Sequence, residues 1–321
     1  MEPILYMAPV QGVTNCTYRN AYSRSFAGYD RCVTPFIKST AGRKSSLKDI
    51  LPKTNDVSFE IIPQLLDNNP KTFISASKGI FDLGYKTVNW NLGCPLPMVR
   101  KKKRGSGLLP FTSDIVRFLE KVLPQAQGSV SLKVRLGAKD KGELLKLLPL
   151  LNDLPLEEII IHPRTGTQMY KGVADISSFE ECLSLTTHTI VYSGDITSCD
   201  KFHALAKKFP AINRWMIGRG GIVDPFLPEE IKGLRANTKQ EKLDIFIRFH
   251  DDIFMAYQSI LSGPAHLIGK MKEKWRFWVQ AYEGGDRLFL EISKAKTVDE
   301  YRTCVDKFFS KKLQVLPEGR T

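Results

Sequence analysis

The sequence predicts an α/β chain, a (β/α)8 barrel of the TIM type over residues 1–235 followed by a helical bundle over residues 241–321. Three observations carry this expectation. Short apolar, β-branched runs recur eight times in the first two-thirds of the chain, their starts mostly 25 to 32 residues apart. The gaps between them hold helix-like segments such as 69–82 and 112–123. Beyond the polar stretch 233–240, the apolar period changes from that of strands to that of helices.

The eight runs are 4–10, 30–36, 58–65, 86–92, 129–136, 157–164, 189–196 and 214–221. Eight strand–helix units within about 220 residues favour a closed barrel, whose usual size is ~250. A doubly wound open sheet is the alternative. No G-x-G-x-x-G follows the first run, which removes the main support for a dinucleotide-binding domain.

One interval is long, with 43 residues between the starts of the fourth and fifth runs. It opens on NWNLGCP, residues 89–95. Gly93 can take backbone angles closed to other residues, and Pro95 fixes its own φ and restricts Cys94. A thiol at a strand tip is thereby held in a defined direction. Taken alone it reads rather as a buried structural cysteine, and the rest of the chain reverses that reading. An enlarged loop after a barrel strand, however, lies on the C-terminal face, where barrel active sites lie. The same loop carries the basic cluster Arg100-Lys101-Lys102-Lys103-Arg104.

The remaining strand ends offer Ala8-Pro9, Gln64, Asn91, Lys133 with Arg135, His162 with Arg164, Ser193-Gly194-Asp195, and Gly218-Arg219-Gly220-Gly221. In SLKVRL (131–136), alternation puts Lys133 and Arg135 on one face. Helices cover the outside of a barrel, so both cations are expected to point into its mouth. Buried cations there need an anionic or electron-rich partner. The glycines ending the seventh and eighth runs lie where barrels bind phosphate through backbone N–H groups. A phosphate-bearing cofactor reached by Lys133 fits both features.

In the predicted bundle, Leu243, Phe246, Ile247, His250, Ile253, Phe254, Tyr257, Ile260 and Leu261 mark an apolar stripe at helical spacing. Ser262-Gly263-Pro264 ends that helix. A second runs over about 265–281, with Lys270, Lys272, Lys274 and Arg276 interleaved with Trp275 and Trp278, its charges expected to face outward. Gly284-Gly285 reads as a break, and Thr297-x-x-Glu300 as a capping box opening a last helix.

Net charge is +13, which favours a polyanionic partner. The excess is not a tail, since Lys239 onward holds 15 basic against 12 acidic residues. No apolar run approaches the ~20 residues of a membrane span. The opening MEPILYMAPV lacks the basic region and small residues of a secretory signal. Six cysteines without C-x-x-C spacing, and five histidines without H-E-x-x-H, point to reduced thiols and no metal. A cytoplasmic monomer is expected.

With the strand ends in view, an ordered set of motifs resembles the tRNA-dihydrouridine synthase family. The set comprises MAPVQGVTNCTYR (7–19), NLGCP with RGSGLL (104–109), SLKVRLG (131–137), IHPRTGTQMYKG (161–172), YSGDI (192–196), MIGRGGIVDP (216–225) and HLIGKMKEKWRFW (266–278). By that resemblance the chain holds FMN tightly, draws electrons from NADPH and reduces particular uridines of tRNA to dihydrouridine. The resemblance implies cofactor contacts at Pro9, Val10, Gln11, Gln64, Lys133, His162, Ser193, Gly194, Asp195, Gly218 and Arg219. It makes Cys94 the proton donor, with Asn91, Arg135 and Arg164 positioning the uracil. The two basic clusters offer tRNA contacts at Arg100, Lys101 and Lys102 and at Lys270, Lys272 and Lys274. The sequence departs from the family pattern at Asp67, Pro97, Pro163 and Ser193, where glycine, lysine, glycine and asparagine are usual.

Saturating uracil needs a hydride and a proton on neighbouring carbons, and a cysteine near its reference pKa of ~8.5 is mostly thiol at neutral pH. His162 is the competing acid. Two other classes remain open: a flavin barrel acting on a free pyrimidine, such as a dihydroorotate dehydrogenase, and a non-catalytic RNA-binding barrel. The first leaves the helical bundle and basic clusters without a role, the second Cys94, Lys133 and the GRGG turn.

Overall fold

A computed structural model describes residues 2–38, 44–235 and 237–310. Its ten strands are β1 (Ile4–Met7), β2 (Arg31–Val33), β3 (Ile37–Lys38), β4 (Glu60–Ile62), β5 (Gln64–Leu66), β6 (Thr87–Leu92), β7 (Ser129–Gly137), β8 (Ile159–Thr165), β9 (Ile190–Tyr192) and β10 (Arg214–Ile217). They form one curled parallel sheet in the order β3-β5-β6-β7-β8-β9-β10-β1-β2-β4. The two ends of that order belong to the same two stretches of chain. β2 and β3 flank residues 34–36, and β4 and β5 flank Pro63.

The sequence placed one strand in each stretch, and the split has a local cause. Pro63 has no N–H for the ladder. Across this break Thr34 N–H donates to Ile62 O (3.0 Å), and Gln64 N–H donates to Thr34 Oγ1 (3.1 Å). A side chain thus carries the pairing where the backbone cannot.

Between and after the strands run α1 (Cys16–Ser25), α2 (Pro70–Phe81), α3 (Pro97–Arg100), α4 (Thr112–Val122), α5 (Gly142–Leu151), α6 (Ile176–Leu183), α7 (Cys199–Lys208), α8 (Arg219–Val223) and α9 (Leu227–Ile231). Several start on a short polar side chain that accepts from otherwise unpaired N–H groups. Asn15 does so for α1, Asn69 for α2, Asp175 for α6 and Ser198 for α7.

Strand alternation sorts two faces. Val88, Trp90 and Leu92 of β6 are buried in the main core, where Trp90 stacks on Phe118 of α4 with centroids 3.9 Å apart. The inner face holds a separate apolar cluster of Tyr6, Ala8, Val33, Ile62, Ile160, Val191 and Met216. Below it, at the N-terminal strand ends, the buried Glu158 accepts from Tyr6 OH (2.7 Å) and Arg214 Nη1 (2.6 Å). That end is plugged by ionic and apolar side chains. Polar inner-face residues near the C-terminal ends line the opposite mouth.

Four further helices follow: α10 (Lys239–Ile260), α11 (Pro264–Trp278), α12 (Gly285–Lys294) and α13 (Val298–Phe309). The predicted box Thr297/Glu300 caps α13, and a box the sequence reading passed over, Thr238/Glu241, caps α10. The stripe of α10 is core over Ile245, Phe246, Phe249, His250, Ile253, Phe254 and Tyr257, but Ile260 is exposed. The glycine pair read as a break opens α12, with Gly284 left-handed at φ +74°. Residues 311–321 of the predicted bundle lie outside the described residues.

The expectation that α11 turns its charges outward fails at Lys274, which is 0% exposed. Trp275 and Trp278 are equally buried. Leu267, Ile268, Met271, Lys274, Trp275 and Trp278 share one face at three- and four-residue spacing, so the helix cannot bury its tryptophans without burying Lys274. Lys272 donates to Ser293 O and Ala295 O (both 2.9 Å), at the C-terminal end of α12, and Lys270 pairs with Glu273 at 3.0 Å.

Candidate active site at the C-terminal strand ends

Cys94 sits just past the end of β6, 8% exposed, with its backbone fixed on both sides. Its N–H and that of Gly93 both donate to Asn91 Oδ1, at 2.8 and 3.0 Å. Asn91 Nδ2 donates to Gln64 Oε1 (2.7 Å), Gln64 Nε2 to Asn89 Oδ1 (2.7 Å), and Asn89 Nδ2 to Ser131 Oγ (2.8 Å). A chain of buried amides across β5, β6 and β7 therefore aims the loop. Such a network is rigid because each member is satisfied by the next. It also uses Asn91 Oδ1, expected to position uracil, to hold the cysteine loop instead.

The segment 104–109 folds back over Cys94. Ser106 N–H and Oγ donate to Cys94 O, at 3.1 and 3.0 Å. Gly105 has φ +56°, and a Cβ there would lie 2.7 Å from Cys94 Cβ. Gly105→Ala therefore combines backbone strain with a clash against the thiol-bearing residue. We expect it to lower the unfolding free energy by about 1–3 kcal/mol and to change the rate of Cys94 alkylation. Peptide-level mass spectrometry and denaturant titration check this, and wild-type values in both would remove the packing argument.

Asp67, a departure from the family pattern, has a clear use. Its buried carboxylate accepts from Arg104 Nη2 (3.2 Å), Asn68 N–H (2.8 Å) and the Thr72 hydroxyl. Arg104 is thus tied down, while Lys101, Lys102 and Lys103 are exposed and Arg100 is half-buried. Pro97 takes the first position of α3, where its missing N–H costs nothing. Pro163 lies in β8 opposite the register shift between Arg135 and Gly137, and Ser193 N–H donates to Ile161 O (2.9 Å).

The mouth is strongly cationic. Lys133 and Arg135 point inward as alternation requires. Arg135 braces two loops, donating to Gly93 O (3.0 Å), Thr165 O (2.9 Å) and Met169 O (2.6 Å), and burial pushes it down to about 10. Arg164 Nη1 and Nη2 grip Asp195 at 2.9 and 2.5 Å, and Nη2 also donates to Gly172 O (2.7 Å). Burial alone would raise Asp195, but these bonds and Ala174 N–H hold its carboxyl below the usual range. Both arginines, expected at the uracil, are largely committed to the protein.

Lys133 makes no hydrogen bond or ion pair among the described residues, and burial together with Arg135 pushes it down to about 7. His162, half-buried beside it, is held well below its usual range by burial and by Arg135, Lys133, Arg164 and Arg219. It is neutral at pH 7. Burial pushes the Cys94 thiol up, and outweighs the opposing Leu96 backbone N–H and the Arg135 charge. The thiol stays protonated. Tyr170, which the sequence reading did not single out, stands exposed between the guanidinium groups of Arg135 (5.3 Å) and Arg219 (5.0 Å). Its signal was an aromatic in the IHPRTGTQMYKG motif after a strand end.

Pro9, Val10 and Gln11 follow β1 in a turn closed by Val10 N–H to Thr14 Oγ1 (2.9 Å). Gly218 and Arg219 open α8, whose first-turn N–H groups have no intrahelical partners. Gly194 stands where a Cβ would meet Ala174 Cβ at 3.2 Å and Tyr192 OH at 3.0 Å. The residues read as cofactor contacts thus belong to elements converging on the C-terminal strand ends. Lys270 and Lys272 lie apart from them on α11.

The curled parallel sheet thus carries, at its C-terminal ends, a buried cysteine and a lysine without a hydrogen-bonded partner among the described residues, which is the architecture of a barrel-like α/β protein. Solved structures share the fold. Histamine dehydrogenase from Rhizobium sp. 4-9 matches with a TM-score of 0.55 at 12% identity, over 79% of this chain and 49% of that one. Morphinone reductase in complex with tetrahydroNAD matches with 0.51 at 9% identity, over 75% and 90%. At those identities the likeness is one of fold alone. The chain belongs to the dihydrouridine synthase family, whose family model (Dihydrouridine synthase, Dus) matches residues 6–268. It is 27% identical to the probable tRNA-dihydrouridine synthase 2 of Bacillus subtilis, over 97% of this chain and 96% of the relative. It is also 27% identical to the probable tRNA-dihydrouridine synthase of Staphylococcus epidermidis, over 96% and 94%. Among the described residues no helix is long and apolar enough to cross a membrane, and no cluster of metal-ligating side chains occurs.

Proposed function

We propose that this protein is an FMN-dependent tRNA-dihydrouridine synthase that uses NADPH to reduce uridines in tRNA. In this reading the curled sheet closes as an eight-stranded barrel, with β2–β3 and β4–β5 each serving as one strand. Residues 1–235 form the catalytic domain and residues 241–321 the helical tRNA-binding domain. The carrying observation is the presence at one mouth of Cys94, whose backbone is held on both sides, and of Lys133, which has no hydrogen-bond or ion-pair partner among the described residues.

The residues at the mouth fit a flavin phosphate. Lys133 calls for an anionic or electron-rich group, and Gly194, Asp195 and the start of α8 offer backbone N–H groups. Pro9, Val10, Gln11, Gln64 and His162 complete the contacts in this reading. When bound and reduced, FMN supplies the hydride for one carbon of the uracil double bond. Cys94 Sγ gives its proton to the neighbouring carbon, and solvent reprotonates the thiolate. Cys94 is a better acid here than His162. The imidazole is already neutral among cations and has no proton of comparable acidity to give. Lys133 stabilises negative charge at the site electrostatically. Asn91, Arg135 and Arg164 support the substrate by holding the loops that surround it.

Lys274 is withdrawn from the proposed RNA contacts because it is buried. Arg100, Lys101, Lys102, Lys270 and Lys272 remain. The test is protein reconstituted with FMN, reduced with NADPH and mixed with tRNA from cells lacking dihydrouridine, with titrations repeated at rising salt. The flavin should be reoxidised by that tRNA and not by free uridine. Neutralising Arg100, Lys101 and Lys102 together should flatten the log–log salt slope by roughly 2 units. Equal oxidation by free uridine would turn the reading toward a small-pyrimidine reductase.

A further inference from the structure

Lys274 is an uncommon kind of residue, a lysine with no exposed surface at the meeting point of three elements. Its Nζ donates to Gly12 O (2.8 Å) in the turn after β1 and to Tyr257 OH (3.0 Å) on α10. The Tyr257 hydroxyl donates in turn to Asn15 Oδ1 (3.0 Å), the side chain that caps α1. The ammonium also lies 5.0 Å from the centre of the Tyr257 ring. Gly12 has φ +82°, and a Cβ there would approach Glu273 Oε2 to 3.2 Å, so α11 is seated closely against this turn.

The turn has other supports as well: the buried Arg19 of α1 donates through Nη1 to Thr14 O (2.9 Å), and Thr14 N–H donates to Val10 O (3.1 Å). Val13 N–H donates to Val10 O (2.9 Å), and Thr14 Oγ1 joins Val10 N–H to Ala8 O at 2.9 and 3.2 Å. Those bonds close the turn internally. Lys274 and Tyr257 tie it to the helices outside. α11 also packs on α8, the second segment read as a cofactor contact. One helix therefore reaches both loops that flank the mouth near β1 and β10.

A buried lysine is costly unless its donors are used. Methionine would fill the same space without that cost, and a purely packing role does not explain a lysine. We propose that Lys274 is a positioning residue that fixes the turn following β1 from α11, so that flavin retention depends on the helical region. This rests on the flavin reading given above. The helix that holds the turn also carries Lys270 and Lys272, so RNA docked there acts on an element joined directly to the cofactor loop.

The experiment measures FMN affinity by fluorescence titration, and the visible flavin spectrum before and after adding tRNA, for wild type, Lys274→Met, Tyr257→Phe and Met271→Ala. Met271 is fully buried on the same helix and serves as a stability-matched control. Lys274→Met should weaken FMN binding by about 10-fold or more, the worth of a lost bond from a charged donor, and abolish any tRNA-induced spectral change. Tyr257→Phe removes one hydroxyl and should give a smaller loss in the same direction, which keeps the test usable if Lys274→Met folds poorly. Met271→Ala should keep FMN affinity within about 2-fold despite a lower unfolding midpoint. Wild-type FMN affinity in both Lys274→Met and Tyr257→Phe would overturn the proposal, as would an equal loss in Met271→Ala. Wild-type protein that takes up no FMN would overturn the flavin reading itself, and the proposal with it.

Discussion

Cys94→Ala is expected to be a folded, yellow protein that accepts electrons from NADPH at close to the wild-type rate and fails to pass them to tRNA. The expected loss in flavin reoxidation by tRNA is roughly 10²–10⁴-fold, the usual worth of a positioned general acid. The geometry explains why the damage should be so confined. The bonds that shape the cysteine loop use backbone atoms of Cys94, from its N–H to Asn91 and from Ser106 to its carbonyl. Alanine keeps them all. The side chain belongs to a small apolar cluster with Leu66 and Val99, so its loss costs stability only modestly. Stopped-flow absorbance in separate reductive and oxidative half-reactions makes the measurement. An oxidative rate within a few-fold of wild type would move the acid role elsewhere, with His162 the first residue to test.

Much of this site was legible because it depends on local rules. Alternation in β7 placed Lys133 and Arg135 on one face, Asn91 was read at a strand end, and the Gly-Cys-Pro sequence announced a fixed thiol. What those side chains do to one another was not legible. Asn91, Gln64, Asn89 and Ser131 come from three strands, and their hydrogen-bond chain exists only once the sheet pairs them in register. Arg135 and Arg164 read as free cations because the carbonyls of Gly93, Thr165, Met169 and Gly172 carry no sequence signal. Asp67 read as a departure because its partner Arg104 lies far along the chain. Lys274 could have been found. It sits on the same helical stripe as Met271, Trp275 and Trp278, and charge counting hid what spacing recorded.

Lys133→Met is expected to move cofactor binding and protein stability in opposite directions. Without its partner, Lys133 is an inward-facing cation next to Arg135, with no bonded anion among the described residues. Burial and that neighbour push it down to about 7. The unfolded chain, with lysine near ~10.4, then holds more protons than the folded one between about pH 7 and 10.4, so stability of the flavin-free protein rises with pH across that window. Lys274, also pushed down to about 7 by burial, acts with the same sign and stays in the variant. Buried thiols such as Cys32, pushed up to about 12, act oppositely once unfolded cysteines ionise above about pH 8.5. The clean window is therefore about pH 7 to 8.5. In it, flavin-free Lys133→Met should be more stable than wild type at pH 7 and should show a shallower rise toward pH 8.5. FMN affinity should fall roughly 10–100-fold, because the variant loses a charge-assisted bond to an anionic or electron-rich group. Urea midpoints at the two pH values and fluorescence titration of FMN read the two effects. A variant that holds FMN as wild type does would mean that Lys133 is not the cofactor's charge partner. One that is less stable without flavin would mean that its ammonium has a partner inside the fold.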